Sequence, residues 1–296
     1  MTEFRFDALL PAEMATRAEY LGVRKAEMPF LKMFMLAILA GAFISLGAIF
    51  STTVGSGTIG ISSPDGDLIY SASLPYGFNR LLTGFVFSLG LILVIVGGAE
   101  LFTGNNLIVM AWASGKVRFS DMIWNWVIVY VGNFFGSFGT ALLMFTTRQY
   151  TFGGGAVGVA ALNTGVFKCS FDFIQALALG IMCNTLVCLA VWLSFSARST
   201  IDRIASILFP ITAFVAAGFE HSVANMYFIP YALLIKYGDS GFLNTVSQRV
   251  PNLERLTLGD FLLKNLVPVT IGNMVGGAVL VAAVYWAIFL RKQSKA

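Results

Sequence analysis

The sequence predicts an all-α membrane protein: six transmembrane helices in an inverted repeat of three and three, with the second and fifth helices broken near mid-span. Three observations predict it. The chain is 57% hydrophobic and only 11% charged, with a mean hydropathy of +0.80. A soluble domain carries about 25% charged residues, so a chain this poor in charge cannot cover a water-facing surface. Six apolar runs each reach the length of about 20 residues that spans a hydrocarbon core. Finally, the second half of the chain repeats motifs of the first.

The first of these observations excludes a soluble enzyme, a disordered chain and a disulfide-stapled secreted module. The net charge of +4 is spread between apolar runs rather than gathered in a patch. It therefore reads as a topology signal, and no nucleic-acid partner is expected. Cys169, Cys183 and Cys188 form no C-x-x-C pair and read as small packing residues.

Residues 1–29 are polar and lack the apolar core of a signal peptide. Pro11 to Met28 predicts a short amphipathic helix, with Pro11 in its first turn. The six runs cover roughly 30–52, 79–113, 121–147, 171–196, 201–236 and 260–290. The second and fifth are too long for one straight span. Gly97-Gly98-Ala99-Glu100 interrupts one and Gly218-Phe219-Glu220-His221 the other. The first repeat then occupies 30–147, an outer loop 148–170, the second repeat 171–290 and a tail 291–296. Most of the 19 Lys and Arg fall on the side of the two termini, which predicts both termini in the cytoplasm. A second outer loop, near 53–78, reads as material extra to the repeat. Its Gly55, Gly57 and Gly60 match G-x-G-x-x-G without a preceding soluble strand, so a flexible loop is expected there rather than a nucleotide site.

The repeat itself is direct. Asn125, Val127, Val129, Gly132, Asn133 and Gly136 recur at one constant spacing as Asn265, Val267, Val269, Gly272, Asn273 and Gly276. Gly41 and Gly180 align the first and fourth spans at nearly the same spacing. In the breaks, Glu100 and Asn105 correspond to Glu220 and Asn225. Three spans per repeat force the second copy through the membrane upside down, about a pseudo-two-fold axis in the membrane plane. The broken helices then meet near the midplane. Non-helical backbone is tolerated there only if buried in protein or lining a water-filled cavity, so the breaks locate a pathway. Gly132, Gly136, Gly272 and Gly276 keep G-x-x-x-G spacing, which lets helix backbones approach closely.

Glu100, Glu220 and His221 are the ionisable residues deep in the runs. Each would cost about 2.5–3.5 kcal/mol at a helix centre facing lipid, so they must face protein or water. The two glutamates are expected to hold the breaks together by accepting hydrogen bonds from backbone N–H groups that the breaks free. His221, the one histidine of the chain, stands opposite Leu101 of the first repeat. The symmetric scaffold does not require it, and imidazole can donate or accept a proton near neutral pH. Thr103 and Asn184 are polar groups in apolar surroundings that could bond to His221 or to a small anion. No His/Cys cluster suggests a metal, and no G-x-x-x-x-G-K-[ST], G-x-S-x-G or H-E-x-x-H motif suggests an ATP-driven pump or a hydrolase. No cofactor, metal or catalytic residue is assigned.

At these residues the sequence resembles a known family. Gly97 to Gly104, Gly180 to Ala190 and Gly218 to Met226 resemble three signatures of the formate/nitrite transporter family. The opening Phe6 to Ala15 is similar to its formate-channel branch. The resemblance covers nearly the whole chain. It implies an aquaporin-like fold, a homopentamer and one pore for small monovalent anions such as formate in each protomer. It implies the cytoplasmic (inner) membrane of a bacterium. It makes Leu101, Phe102 and Thr103, beside Glu100, the loop of the second-span break. Phe87, Leu91, Leu101, Phe102, Val187 and Phe214 would form apolar constrictions. His221 would be the pore centre and proton donor, near Thr103, supported by Glu220, Asn225 and Asn184. Lys168 would lie near the outer mouth and Lys25 near the inner one. Two departures concern the outer mouth: Cys169-Ser170-Phe171 stand where the formate members carry histidines, and the 53–78 loop is longer.

A mechanism follows as an expectation. An anion in an apolar slit loses hydration with little return, whereas a neutral acid loses far less. Basic residues at the mouths would concentrate formate, and His221 would protonate it for passage. The N-terminal segment could act as a pH-dependent plug. The alternatives are nitrite or hydrosulfide through the same pore, a water or glycerol channel (the paired N-P-A motifs are missing), and a membrane-enzyme subunit.

Overall fold

A computed structural model describes residues 7–63 and 68–291. Phe6, the first residue of one resembling stretch, and most of the predicted tail lie outside these residues. The chain runs through α1 (Pro11–Ala26), α2 (Phe30–Gly55), β1 (Thr58–Ser62), β2 (Leu68–Ser73), α3 (Tyr76–Gly97), α4 (Phe102–Asn105), α5 (Val109–Ala113), α6 (Phe119–Thr146) and α7 (Ala156–Lys168). It continues through α8 (Phe173–Ser196), α9 (Thr200–Ala217), α10 (Ser222–Gly238) and α11 (Ser240–Val246). It closes with α12 (Leu258–Phe289), which contains two wide-turn stretches. Among these, α2, α3, α6, α8, α9 and α12 are the six helices long and apolar enough to cross a membrane. They fall on the six predicted runs. Apolar runs of this length become helices in a membrane because only a helix bonds every backbone group within one segment.

Both predicted breaks are present and superimpose in their dihedral angles. Gly98 (φ 77°) and Gly218 (φ 79°) end α3 and α9 in the left-handed region, which favours glycine. Leu101 (φ −110°, ψ 126°) and His221 (φ −110°, ψ 115°) are extended. The helices then restart, as α4 with a 3₁₀ turn and α5 on one side, and as α10 on the other.

The inverted repeat is written in hydrogen bonds. The Glu100 N–H donates to the Leu36 carbonyl at 3.2 Å, and the Glu220 N–H to the Leu179 carbonyl at 3.3 Å. Tyr130 and Thr270 occupy equivalent positions of α6 and α12, and their hydroxyls meet at 2.8 Å, so this pair sits on the pseudo-two-fold axis. The expected close approaches are present too. A Cβ at Gly136 would strike the Ile38 carbonyl of α2, and one at Gly276 the Ile181 carbonyl of α8. One at Gly132 would strike the Ala37 methyl, with the Phe34 carbonyl next, and one at Gly272 the Leu177 carbonyl.

Three expectations change. The match of Gly41 with Gly180 is one helical turn out of register. Asn133 donates to the Ala37 carbonyl and Asn273 to the Gly180 carbonyl, which makes Ala37 the partner of Gly180. A slip of one turn keeps the same helix face, so small residues still align. The 148–170 segment is more than a loop: it holds α7, the counterpart of α1, so each repeat is a short helix followed by three spans. The 53–78 segment carries an antiparallel hairpin with Thr58 opposite Ser73 and Ile61 opposite Tyr70. Its β-branched residues favour strand over coil.

Candidate permeation site

Two cavities enter from opposite faces and share no wall residue. One, of about 310 Å³, is walled by Lys25, Leu91, Val94, Glu100, Leu101 and Asn105, among others. The other, of about 330 Å³, is walled by Phe87, Lys168, Phe214, Glu220, His221 and Asn225, among others. The repeat maps one onto the other: Val94, Glu100, Leu101 and Asn105 become Phe214, Glu220, His221 and Asn225. The cavities are two copies of one vestibule, and they differ most where Leu101 is replaced by His221.

Each vestibule ends on the same network. Glu220 Oε1 accepts from Lys168 Nζ at 2.7 Å. Its Oε2 accepts from Asn225 Nδ2 at 2.7 Å and from Asn265 Nδ2 at 3.0 Å. Asn265 also donates to the Lys168 carbonyl at 2.9 Å. In the other copy Glu100 takes Lys25 Nζ and Asn105 Nδ2, both at 2.7 Å, and Asn125 donates to the Lys25 carbonyl at 3.0 Å. The Lys168 and Glu220 side chains are 12% and 2% exposed, and the Lys25 and Glu100 side chains 30% and 6%. The glutamates thus hold the breaks through side chains, contrary to the expected backbone donors.

The freed backbone groups go to two asparagines instead. Asn133 Oδ1 accepts the Phe102 N–H and Asn273 Oδ1 the Ser222 N–H, both at 2.9 Å. The amide nitrogen of Asn133 donates to the Glu100 carbonyl and that of Asn273 to the Glu220 carbonyl. Sequence reasoning placed Asn125, Asn133, Asn265 and Asn273 in the repeat but gave them no task. Their recurrence as polar residues inside spans was the available signal.

Where the breaks meet, the symmetry fails. Thr103 Oγ1 lies 3.0 Å from His221 Nε2, and both residues are buried. His221 Nδ1 accepts the Ala224 N–H at 3.1 Å, capping α10. An Nδ1 used as an acceptor places the proton of the neutral ring on Nε2, so Nε2 donates to Thr103. The face of the ring lies along Phe214, with centroids 6.0 Å apart. The amino ends of α4 and α10 converge here, an arrangement that favours negative charge.

The remaining site residues divide. Phe87 and Phe214 meet edge to face at 5.7 Å in the His221 vestibule, and Leu91 and Leu101 wall the other. Phe102 walls neither cavity and packs edge-on against Tyr130 at 4.9 Å. Val187 is buried and walls neither; Val191, one turn along α8, does. Asn184 reaches the Thr103 carbonyl at 3.2 Å, Asn106 Oδ1 at 3.0 Å and the Asn273 carbonyl at 2.7 Å. It supports His221 indirectly, through Thr103 and through Asn273, which holds the backbone on either side of the ring. Among the described residues no cluster of His, Cys, Asp and Glu could hold a metal ion.

The sequence profile described as Formate/nitrite transporter matches residues 12–287. The chain belongs to the formate/nitrite transporter family. The membrane-enzyme reading is thereby set aside, since this family consists of transporters. The protein is similar to Formate channel FocA of Escherichia coli strain K12, with 43% identity over 288 residues, covering 97% of this chain and 96% of the relative. Formate channel FocA of Haemophilus influenzae is 38% identical over 276 residues, covering 93% and 92%. Among solved structures, a pentameric formate channel with formate bound superimposes with a TM-score of 0.78 at 42% identity, covering 88% of this chain and 98% of that one. A channel described as an FNT family ion channel gives 0.72 at 26% identity, covering 93% and 98%. In a formate/nitrite transporter the paired vestibules, closed by apolar residues around one histidine, read as a permeation route.

Proposed function

We propose that this family member passes formate and related small monovalent anions through a pore in each protomer of a homopentamer. Its place would be the bacterial cytoplasmic membrane, with both termini in the cytoplasm. The observation that carries this reading is the contact of Thr103 with His221 Nε2 at 3.0 Å, where the two broken helices meet. An anion arriving from the Lys168 vestibule meets the His221 ring within apolar walls, with the buried Thr103 hydroxyl behind it and the two helix amino ends beside it. Few other groups there replace its lost hydration, so crossing as the neutral acid is favoured.

In this proposal His221 supplies the proton. The neutral ring cannot give up its Nε2 proton without becoming an anion. Donation therefore requires a second proton on Nδ1, which displaces the Ala224 N–H from that atom. A formate anion held against the ring stabilises the doubly protonated form. Transfer of the Nε2 proton to formate leaves the ring protonated on Nδ1, and it regains its cap when tautomer exchange returns that proton to Nε2. Flux then rises with proton supply and falls with pH.

Uptake of labelled formate into proteoliposomes tests the substrate, with nitrite, hydrosulfide and water flux measured beside it. The reading expects saturable formate uptake and no water flux above that of protein-free vesicles. Water or glycerol flux without formate uptake would overturn it, and stronger competition by nitrite or hydrosulfide would reassign the substrate.

A further inference from the structure

The lysines at the two mouths are already neutralised, Lys25 by Glu100 and Lys168 by Glu220. Positive charge at the termini-side mouth therefore has another source. Arg17 of α1 and Arg203 of α9 wall the same cavity as Lys25. Arg17 Nη1 donates to the Phe195 carbonyl at 3.2 Å, and Arg198 Nε donates to the Asp7 carbonyl at 2.6 Å. Among the described residues none of these three arginines forms an ion pair with a carboxylate. Asp202, the neighbouring acid, has its Oδ2 engaged by the Arg198 and Ser199 N–H groups. Burial, then Arg203, then Arg198 lower the pKa of Arg17 below the usual arginine value.

Two guanidinium groups, Arg17 and Arg203, on the wall of one cavity form an arrangement that an anion relieves, and Arg198 adds to the positive charge acting on Arg17. A monovalent anion compensates one of them and leaves the other uncompensated. A ligand carrying two or more charges compensates more, and guanidinium forks match carboxylate and phosphate oxygens in pairs. The cavity of about 310 Å³ is much larger than a three-atom anion needs. Its walls also include Leu91, Val94 and Leu101, apolar groups past which a multivalent anion cannot move without losing its hydration.

We propose that Arg17 and Arg203 form a binding site for a multivalent oxyanion, of the pyrophosphate or polycarboxylate class, and that its occupancy closes the termini-side mouth. The binding stands by itself; the closing rests on the proposed anion flux.

Pyrophosphate titrated calorimetrically into the purified full-length assembly tests the site. Wild type should bind, more weakly as salt rises. Arg17→Gln/Arg203→Gln should bind at least about tenfold more weakly, and Arg17→Lys/Arg203→Lys, which keeps the charge and loses the forks, in between. Equal affinity in all three folded proteins, or no binding to wild type at physiological salt, overturns the site. Pyrophosphate on the termini side should then lower formate flux of wild type but not of the Gln variant; binding with undiminished flux overturns the closing. Failure of formate flux with pyrophosphate binding intact counts against the proposed function and upholds the site. Binding abolished only in nanodiscs of anionic phospholipid makes a lipid headgroup the occupant and overturns a soluble ligand.

Discussion

Asn133 and Asn273 each tie together three pieces of backbone: the amide that restarts a broken helix, the carbonyl of the break glutamate, and a carbonyl of the neighbouring span. Truncation would strand an N–H and two carbonyls away from water, at about 1–3 kcal/mol per unpaired buried group. Asn133→Ala and Asn273→Ala should each lose about 2–4 kcal/mol of stability, read as a lowered unfolding midpoint in detergent. The ion pairs give a second prediction. Lys168→Ala leaves Glu220 charged and buried and should cost about 3–5 kcal/mol. Adding Glu220→Gln should recover much of that, and a double variant as damaged as the single one would show that the pair acts differently. These roles were only half legible. Repetition along the sequence marked the asparagines and glutamates as important, but it cannot say which bonds to backbone and which to side chain. That depends on whether a side chain reaches across to α2 or α8, or back toward α1 or α7.

At the scale of elements, helix contacts within each repeat turn on glycine. A methyl group at Gly136 meets the Ile38 carbonyl of α2, which is backbone and cannot rotate away, whereas one at Gly139 meets nothing. Gly136→Ala should cost about 1–3 kcal/mol through overpacking, while Gly139→Ala should leave the unfolding midpoint unchanged. The G-x-x-x-G spacing made this face readable in advance. The breaks were readable as well, because glycine followed by glutamate inside an apolar run has few other places in a membrane. The pairing of α1 with α7 was not: one is charged and terminal, the other apolar and internal, and the kinship lies in a short closing stretch, Gly22, Val23 and Lys25 against Gly165, Val166 and Lys168. Through Lys25 the described part of the N-terminal segment is a wall of the vestibule. Deleting residues 1–28 should therefore destabilise the Glu100 network as well as change any gating, and an unchanged unfolding midpoint would contradict that.

For the whole molecule, the spans carry their apolar side chains outward as well as inward. Phe209, Ile201 and Leu263 remain more than two-thirds exposed, as helices facing lipid or neighbouring protomers must be. Native mass spectrometry of the detergent-solubilised protein should give a mass five times that of one chain, and a stable monomer would contradict the proposed assembly. The inverted architecture was legible because the repeat in α6 and α12 keeps its spacing and three spans invert the copy. The point where symmetry fails was legible too, as His221 against Leu101. The tautomer of that ring was not, because the Ala224 N–H bonds to it only once α10 has formed. The most direct measurement is formate uptake into proteoliposomes as a function of pH, for wild type, His221→Gln and His221→Phe. Proton transfer at His221 predicts uptake that rises as pH falls in wild type, and a profile that flattens in both variants with a loss of about tenfold or more. The same pH dependence in all three proteins would contradict the account.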